Sequence, residues 1–317
     1  MGKAGRRRKF VFIVLLVLAS LAGNAKSHRR TLPADDDQPA VLIGAGDIAD
    51  CKNLTGAEAT AKLLDKFPGT VIAVGDLAYP DGSKENFVCY DKTWGVARSR
   101  TRPAPGNHEF HSSGAAPYFD YFGVLAGDPK TGYYSYELGS WHIIVLNSEC
   151  RDVGGCEAGS PEEKWLRADL ASHPVACTLA YWHKPLFSSG SAHGNDLAMK
   201  PLWDALYEAN ADVVVNGHDH DYERFAPQTP DGAPDPGRGI REFVVGTGGK
   251  SHARSANQRQ TARFATPRPS ESSNSGCSPR ATTGNLFPRK GRPSPIRAAA
   301  LATNLESASN LLAHEIA

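Results

Sequence analysis

Six short apolar runs constrain this chain more than any other feature of it. They span 41–45, 71–74, 143–146, 178–182, 213–215 and 243–245, are rich in Val, Ile and Leu, and each gives way to Gly, Asn or His. Runs this short that stay apolar without alternating suit strands buried on both faces. Helical spacing occupies 56–67 and 197–210. Ser160-Pro161-Glu162-Glu163 predicts a capping box with Pro at the first helical position, opening a helix to about Ala171. Tyr133–Glu137 and Trp141–Asn147 predict an antiparallel pair turning through Leu138-Gly139-Ser140. Strands alternating with helices predict an α/β fold whose polar strand ends form the site. No internal repeat interrupts this pattern.

The 317 residues suffice for one large domain or two small ones, and 40% hydrophobic with 22% charged content excludes wholesale disorder. The net charge of +1 conceals an uneven distribution. Residues 26–250 carry 21 Lys/Arg against 31 Asp/Glu, while both ends are basic. An acidic central surface is a poor partner for nucleic acid, whose phosphates need clustered Lys and Arg. It tolerates bound multivalent cations.

The two ends do not belong to this domain. Residues 1–25 place five Lys/Arg before an apolar run from Phe10 to about Ala22, followed by the small residues Gly23 and Ala25. That layout predicts an export signal, of the general secretory or the twin-arginine kind. The run is shorter than the ~20 residues a membrane helix needs, so no stable span is expected after cleavage. Residues 26–40 read as a linker. The expected location is periplasmic or extracellular, where the six cysteines are read as disulfide partners rather than as a zinc or redox motif. Cys150 and Cys156 flank Gly154-Gly155, which predicts a short local bridge; the remaining connectivity stays open. After Lys250 the texture changes, and 251–317 contains no Val, Tyr, Trp, Met or Asp. This segment reads as a disordered basic tail or as the product of a changed reading frame.

Five motifs gather the side chains able to hold metal: Gly46-Asp47, Gly75-Asp76-Leu77-Ala78-Tyr79, Gly106-Asn107-His108-Glu109, His183, and Gly217-His218-Asp219-His220. Each alone is weak. An Asp after a strand is commonly a turn residue or helix cap, and a lone strand-end His is commonly just a satisfied one. In order, and spaced by strand–helix units, the five are specific. Carboxylate, imidazole and amide ligands suit iron, manganese or zinc. A bridging carboxylate can hold two ions about 3.5–4 Å apart, the spacing used for in-line displacement at phosphorus.

This ordered set resembles the calcineurin-like metallophosphoesterase superfamily in its purple-acid-phosphatase-like branch, over about 41–250. The resemblance implies a four-layer αββα sandwich with a dinuclear centre on loops at one edge. It implies that Asp47, Tyr79 and His220 hold one ion, that Asn107, His183 and His218 hold the other, and that Asp76 bridges them. Tyr79 favours Fe(III) beside a divalent Zn, Mn or Fe, with a visible charge-transfer band. Ala49 stands where the branch usually has Gly.

The implied activity is hydrolysis of small phosphate monoesters by in-line attack of a hydroxide generated at the two ions. His108, oriented by Glu109, is the first candidate to protonate the leaving group, and His193 the second. His111 is read as a loop residue, and Arg224 as the partner of a buried carboxylate. A phosphodiesterase or nucleotide hydrolase on the same scaffold, and an inactive metal-binding remnant, are the competing possibilities. Family members continue with strands beyond the segment matched by 246–249. Back-translation of the tail one base out of register permits a β-rich ending, starting at Thr283-Gly284, that closes on a cysteine. A frame change near 250–253 would remove the C-terminal strands and leave Cys177 without its partner.

Overall fold

The computed structural model describes residues 40–175 and 177–251, with the backbone alone of 279–280, 284–286 and 296–300. The export signal, the linker as far as 39, Cys277 and the rest of the tail lie outside the described residues.

In chain order the strands are β1 (Ala40–Ala45), β2 (Ala49–Asp50), β3 (Thr70–Val74), β4 (Ala78–Tyr79), β5 (Thr101–Ala104), β6 (Tyr134–Leu138) and β7 (Trp141–Val145). They continue as β8 (Cys177–Tyr181), β9 (Val213–Asn216), β10 (Tyr222–Arg224), β11 (Arg241–Val245), β12 (Pro279–Arg280), β13 (Gly284–Leu286) and β14 (Ile296–Ala300). The helices are α1 (Thr55–Leu64), α2 (Lys84–Asp91), α3 (Asn107–Phe110), α4 (Ala116–Phe122), α5 (Pro161–Ser172) and α6 (Lys200–Glu208).

One six-stranded sheet has the order β12-β13-β14-β1-β3-β5, the other β10-β11-β9-β8-β7-β6; β2 and β4 form a separate pair. The apolar runs become β1, β3, β7, β8, β9 and β11, and the expected hairpin becomes β6 and β7. The tail joins the first sheet, where β14 runs parallel to β1.

The strands are apolar throughout because each sheet is covered twice. Leu42, Ile72 and Val74 of the first sheet meet Ile143, Val145, Leu179, Tyr181 and Val213 of the second in an inter-sheet core. Outside the first sheet, Ile43, Val71 and Ala73 pack on residues of α1, α2 and α4 such as Leu64, Phe87 and Tyr118. Outside the second, Ile144, Ala180 and Val214 pack on Leu166 of α5 and on Leu202, Trp203 and Leu206 of α6. The result is a four-layer αββα sandwich. No helix among the described residues is long and apolar enough to cross a membrane.

Three details refine the sequence expectations. Cys150 and Cys156 form the short bridge, and Cys51 joins Cys89, tying the segment after β2 to α2. Cys177 is disulfide-bonded too. Only half of the capping box forms: Ser160 Oγ accepts from Glu163 N at 3.2 Å, whereas the Glu163 carboxylate turns to Gly159 N and Arg167.

Glu162, in the first turn of α5, is buried and accepts from Asn147 N at 2.7 Å, fixing the loop after β7. Burial pushes its carboxyl up to about 8, opposed by that amide. A folded-state pKa raised above the unfolded value of 4.5 stabilises below pH 4.5, and that contribution is lost as pH rises through about 8. Glu162→Gln keeps the acceptor without the charge. It should flatten the fall in urea-midpoint between those pH values, and parallel wild-type and mutant curves would contradict this.

Candidate metal centre

The candidate ligands sit just beyond the C-terminal ends of strands from both sheets: Asp47 after β1, Asp76 after β3, Asn107 after β5, His183 after β8 and His218 after β9. Backbone bonds stitch these ends together. Gly46 N donates to Val245 O at 3.0 Å, Asp47 N to Gly75 O at 3.0 Å and Gly217 N to His183 O at 2.9 Å. The approach is close enough to require glycine at Gly106, where a Cβ would lie 2.3 Å from Asp76 Oδ1. Asp47, Asp76 and His218 adopt φ of +61°, +52° and +74°, a left-handed conformation that costs side-chain-bearing residues of order 1 kcal/mol or more each.

Around the Asp76 carboxylate the side chains converge. Tyr79 O–H donates to Asp47 Oδ1 at 2.8 Å and lies 3.1 Å from both Asp76 Oδ2 and His220 Nε2. His183 Nε2 lies 3.1 Å from Asp76 Oδ2 and 3.2 Å from His218 Nδ1. Its Nδ1 donates to Val74 O at 3.0 Å, which fixes the tautomer and turns Nε2 to the centre. Asp47 Oδ1 lies 3.3 Å from His220 Nε2, and Oδ2 accepts from His218 N at 2.9 Å.

The electrostatics describe a cluster short of positive charge. Burial disfavours the His183 cation, yet Asp76 beside it holds its pKa up at about 10. Burial, His183 and His193 together depress His218 to about 2. Burial and then Asp47 and Asp76 hold the Tyr79 phenol well above its ordinary range. Among the described residues, Asn107 Oδ1 is buried without a hydrogen-bond partner, a costly state for an amide oxygen. A cation beside these groups would satisfy that oxygen and favour the phenolate, so the donor set fits metal. Ligand atoms of Asp76, His183 and His218 already lie within 4.8 Å of one another.

Glu109 departs from expectation. Its buried carboxylate takes Asp76 N and Gly106 N on Oε2 at 2.9 and 2.8 Å, and Leu77 N and Ala78 N on Oε1 at 2.9 and 3.2 Å. It locks two ligand loops together through their amides instead of orienting the His108 ring. Burial and the Asp76 charge push its carboxyl up to about 8, while the amides oppose this. His108 hydrogen-bonds Pro80 O through Nδ1, packs on the Tyr79 ring at 4.3 Å, and holds Nε2 3.7 Å from Asp76 Oδ2. His193 is exposed and stacks on His218 at 4.0 Å. His111 stays at the rim, 3.4 Å from Pro80 O.

Two groups went unnoticed in the sequence. Asp219, the variable residue of Gly-His-x-His, is buried and accepts from His193 N at 3.1 Å and Gly194 N at 3.0 Å, so it anchors the loop that presents His193. Lys250 lies 4.8 Å over the Tyr79 ring, paired with Asp50. An acidic residue between two candidate histidine ligands was a legible signal; a lysine in the segment after β11 was not. Arg224 corrects an expectation, since it lies over the Phe243 ring and pairs with no carboxylate among the described residues.

Comparison with known proteins accords with this architecture. The calcineurin-like phosphoesterase profile matches residues 26–222, and the chain belongs to that family. Its relatives place it in the purple-acid-phosphatase-like branch. Purple acid phosphatase 15 of Arabidopsis thaliana is 25% identical over 62% of this chain and 43% of its own length. Purple acid phosphatase 18 of the same plant is 28% identical over 70% and 52%. The chain thus spans about half the length of the curated relatives it matches. The purple acid phosphatase PPD1 of yellow lupin superposes with a TM-score of 0.58 at 19% identity, over 71% of this chain and 47% of that one. GAP50 of the Plasmodium inner membrane complex gives 0.55 at 14% identity, over 87% and 94%. At these identities the structural matches show a shared fold.

Replacing Glu109 tests the amide lock. Glu109→Ala leaves four amides unpaired and should cost roughly 3 kcal/mol or more of stability. Glu109→Gln should fold but weaken metal affinity on the order of tenfold to a hundredfold. Titration showing unchanged affinity in Glu109→Gln would contradict a positioning role.

Proposed function

We propose that this protein is a metal-dependent phosphoric ester hydrolase that acts on small phosphate monoesters. The supporting observation is the convergence on Asp76: its Oδ2 lies 3.1 Å from both the Tyr79 hydroxyl and His183 Nε2, groups the family pattern assigns to two different ions. Asp47, Tyr79 and His220 would hold the first ion, Asn107, His183 and His218 the second, and Asp76 both. An Fe(III) with a divalent Zn, Mn or Fe would supply Lewis acidity to acidify water and to neutralise phosphoryl charge.

The chain's own residues set the geometry of the displacement. The oxygen–phosphorus bond to water forms as the bond to the leaving alkoxide breaks. His108 would protonate that alkoxide, a role supported by the contact of its Nδ1 with Pro80 O and by Nε2 lying 3.7 Å from Asp76 Oδ2. His193 is the second donor, held over His218 by Asp219. Export agrees with the two bridges Cys51–Cys89 and Cys150–Cys156 and with the amino-terminal layout.

Asp76→Asn and His218→Ala should each abolish monoester turnover while circular dichroism stays native; near-normal hydrolysis by both would overturn the proposal. His108→Ala should lower kcat by about 10²–10⁴. Chromogenic monoester and diester substrates, run side by side, separate the proposed activity from a diesterase. Iron-loaded protein should absorb in the visible, and Tyr79→Phe should lose the band. An unchanged spectrum would remove Tyr79 from the ligand set.

A further inference from the structure

A second group of imidazoles and carboxylates lies at the other end of the second sheet. His142 follows Trp141 at the start of β7, whereas the candidate metal centre lies beyond the strands' C-terminal ends. Odd-numbered residues of β7 enter the inter-sheet core, so His142 points to the helical side, beneath α5. There it meets Glu137, its register partner on β6, with Asp169 and His173 from the end of α5.

We propose that Glu137, His142 and His173 form a separate binding site for a borderline divalent ion of the Zn2+ type, with Asp169 orienting both imidazoles. One ligand atom from each of the three lies within 4.8 Å of the others. His142 Nδ1 faces Glu137 Oε1 at 2.7 Å, and its Nε2 faces Asp169 Oδ2 at 2.6 Å. A carboxylate behind one imidazole nitrogen and a coordinating position at the other is how metal-binding histidines are commonly set. His173 Nδ1 is engaged by Asp169 O at 2.8 Å and lies 3.4 Å from Asp169 Oδ1, which leaves Nε2 as its coordinating nitrogen. The two rings are stacked at 4.3 Å and 15°, so the half-exposed His173 ring has to turn for its Nε2 to share an ion with His142 Nδ1. Asp169 is itself fixed by Ser135 Oγ at 2.8 Å.

Charge and access favour an ion here. Neither Glu137 nor Asp169 is paired with Lys or Arg among the described residues; the imidazoles are their charge partners. His142 and Asp169 are 1% and 9% exposed as side chains, whereas Glu137 and His173 are 48% and 40% exposed. The site therefore has a rigid buried half and a half-open rim that can close on an ion by side-chain rotation. The C-terminal end of α5 adds partial negative charge. Two imidazoles and a carboxylate, with water in the fourth position, match zinc chemistry better than that of calcium or magnesium. An ion here would clip the β6–β7 hairpin to α5.

Equilibrium dialysis of the purified full chain against Zn2+, with metal content per protein as the readout, tests the site. Wild type should retain one more equivalent than Glu137→Gln/His173→Ala, whose substitutions lie at the half-exposed rim. Monoester hydrolysis should stay within twofold, because neither residue belongs to the proposed catalytic machinery. The extra equivalent should persist in Asp76→Asn/His218→Ala, which separates failure of this site from failure of the dinuclear reading. Equal Zn2+ content in wild type and the rim variant, or loss of the equivalent only when Asp76 and His218 are replaced, would overturn the proposal.

Discussion

The Glu109 carboxylate is the constraint on which the candidate centre depends. By taking amides from Asp76, Leu77, Ala78 and Gly106, it joins the loop after β3 to the loop after β5. These loops carry Asp76, Tyr79, Asn107 and His108, so one buried side chain fixes four candidate groups relative to each other. The left-handed conformations at Asp47, Asp76 and His218 are costly alone and persist because the surrounding backbone over-determines them. The segment after β11 adds to this, since Gly248 N donates to Gly46 O at 2.8 Å and Lys250 N to Asp47 O at 2.9 Å. The first-sheet and second-sheet loops are thereby held in one register.

Charge gives that rigidity its chemical meaning. Two buried carboxylates, a phenol and three imidazoles meet where, among the described residues, Lys184 and Lys250 are the nearby ammonium groups, and both are paired elsewhere, with Glu149 and Asp50. Protons shared through His183 compensate only in part. Burying negative charge is expensive unless cations approach closely. The same logic, at smaller scale, applies to Glu137, Asp169 and their two histidines at the far end of the sheet. An acidic central surface accommodates both sites.

The central strands were legible because they are buried on both faces, and an uninterrupted apolar run ended by a turn residue has few other fates. β5 was not, because Thr101-Arg102-Pro103-Ala104 lacks such a run; as the edge of its sheet it tolerates a proline that a central strand would not. The α2 helix also escaped notice, although Ser83 and Asn86 form a reciprocal cap at its start. The metal-type side chains were legible as ordered motifs, and the structure brings them together. What the letters could not carry was direction. Glu109 faces amides of its neighbouring loops, Asp219 faces the His193 loop, and Arg224 lies on an aromatic ring, each decided by packing between segments far apart in the chain. The Glu137–His142 pairing likewise needed the hairpin register, and its meeting with α5 needed the tertiary fold.

The central claim is that Asp76 sits between two ions. Anomalous diffraction from crystals of the manganese-loaded full chain tests it most directly. Two peaks about 3.5–4 Å apart, each within bonding distance of the Asp76 carboxylate and divided between the Tyr79 and His183 sides, are predicted. A single peak there, or two peaks neither of which touches Asp76, would contradict the account.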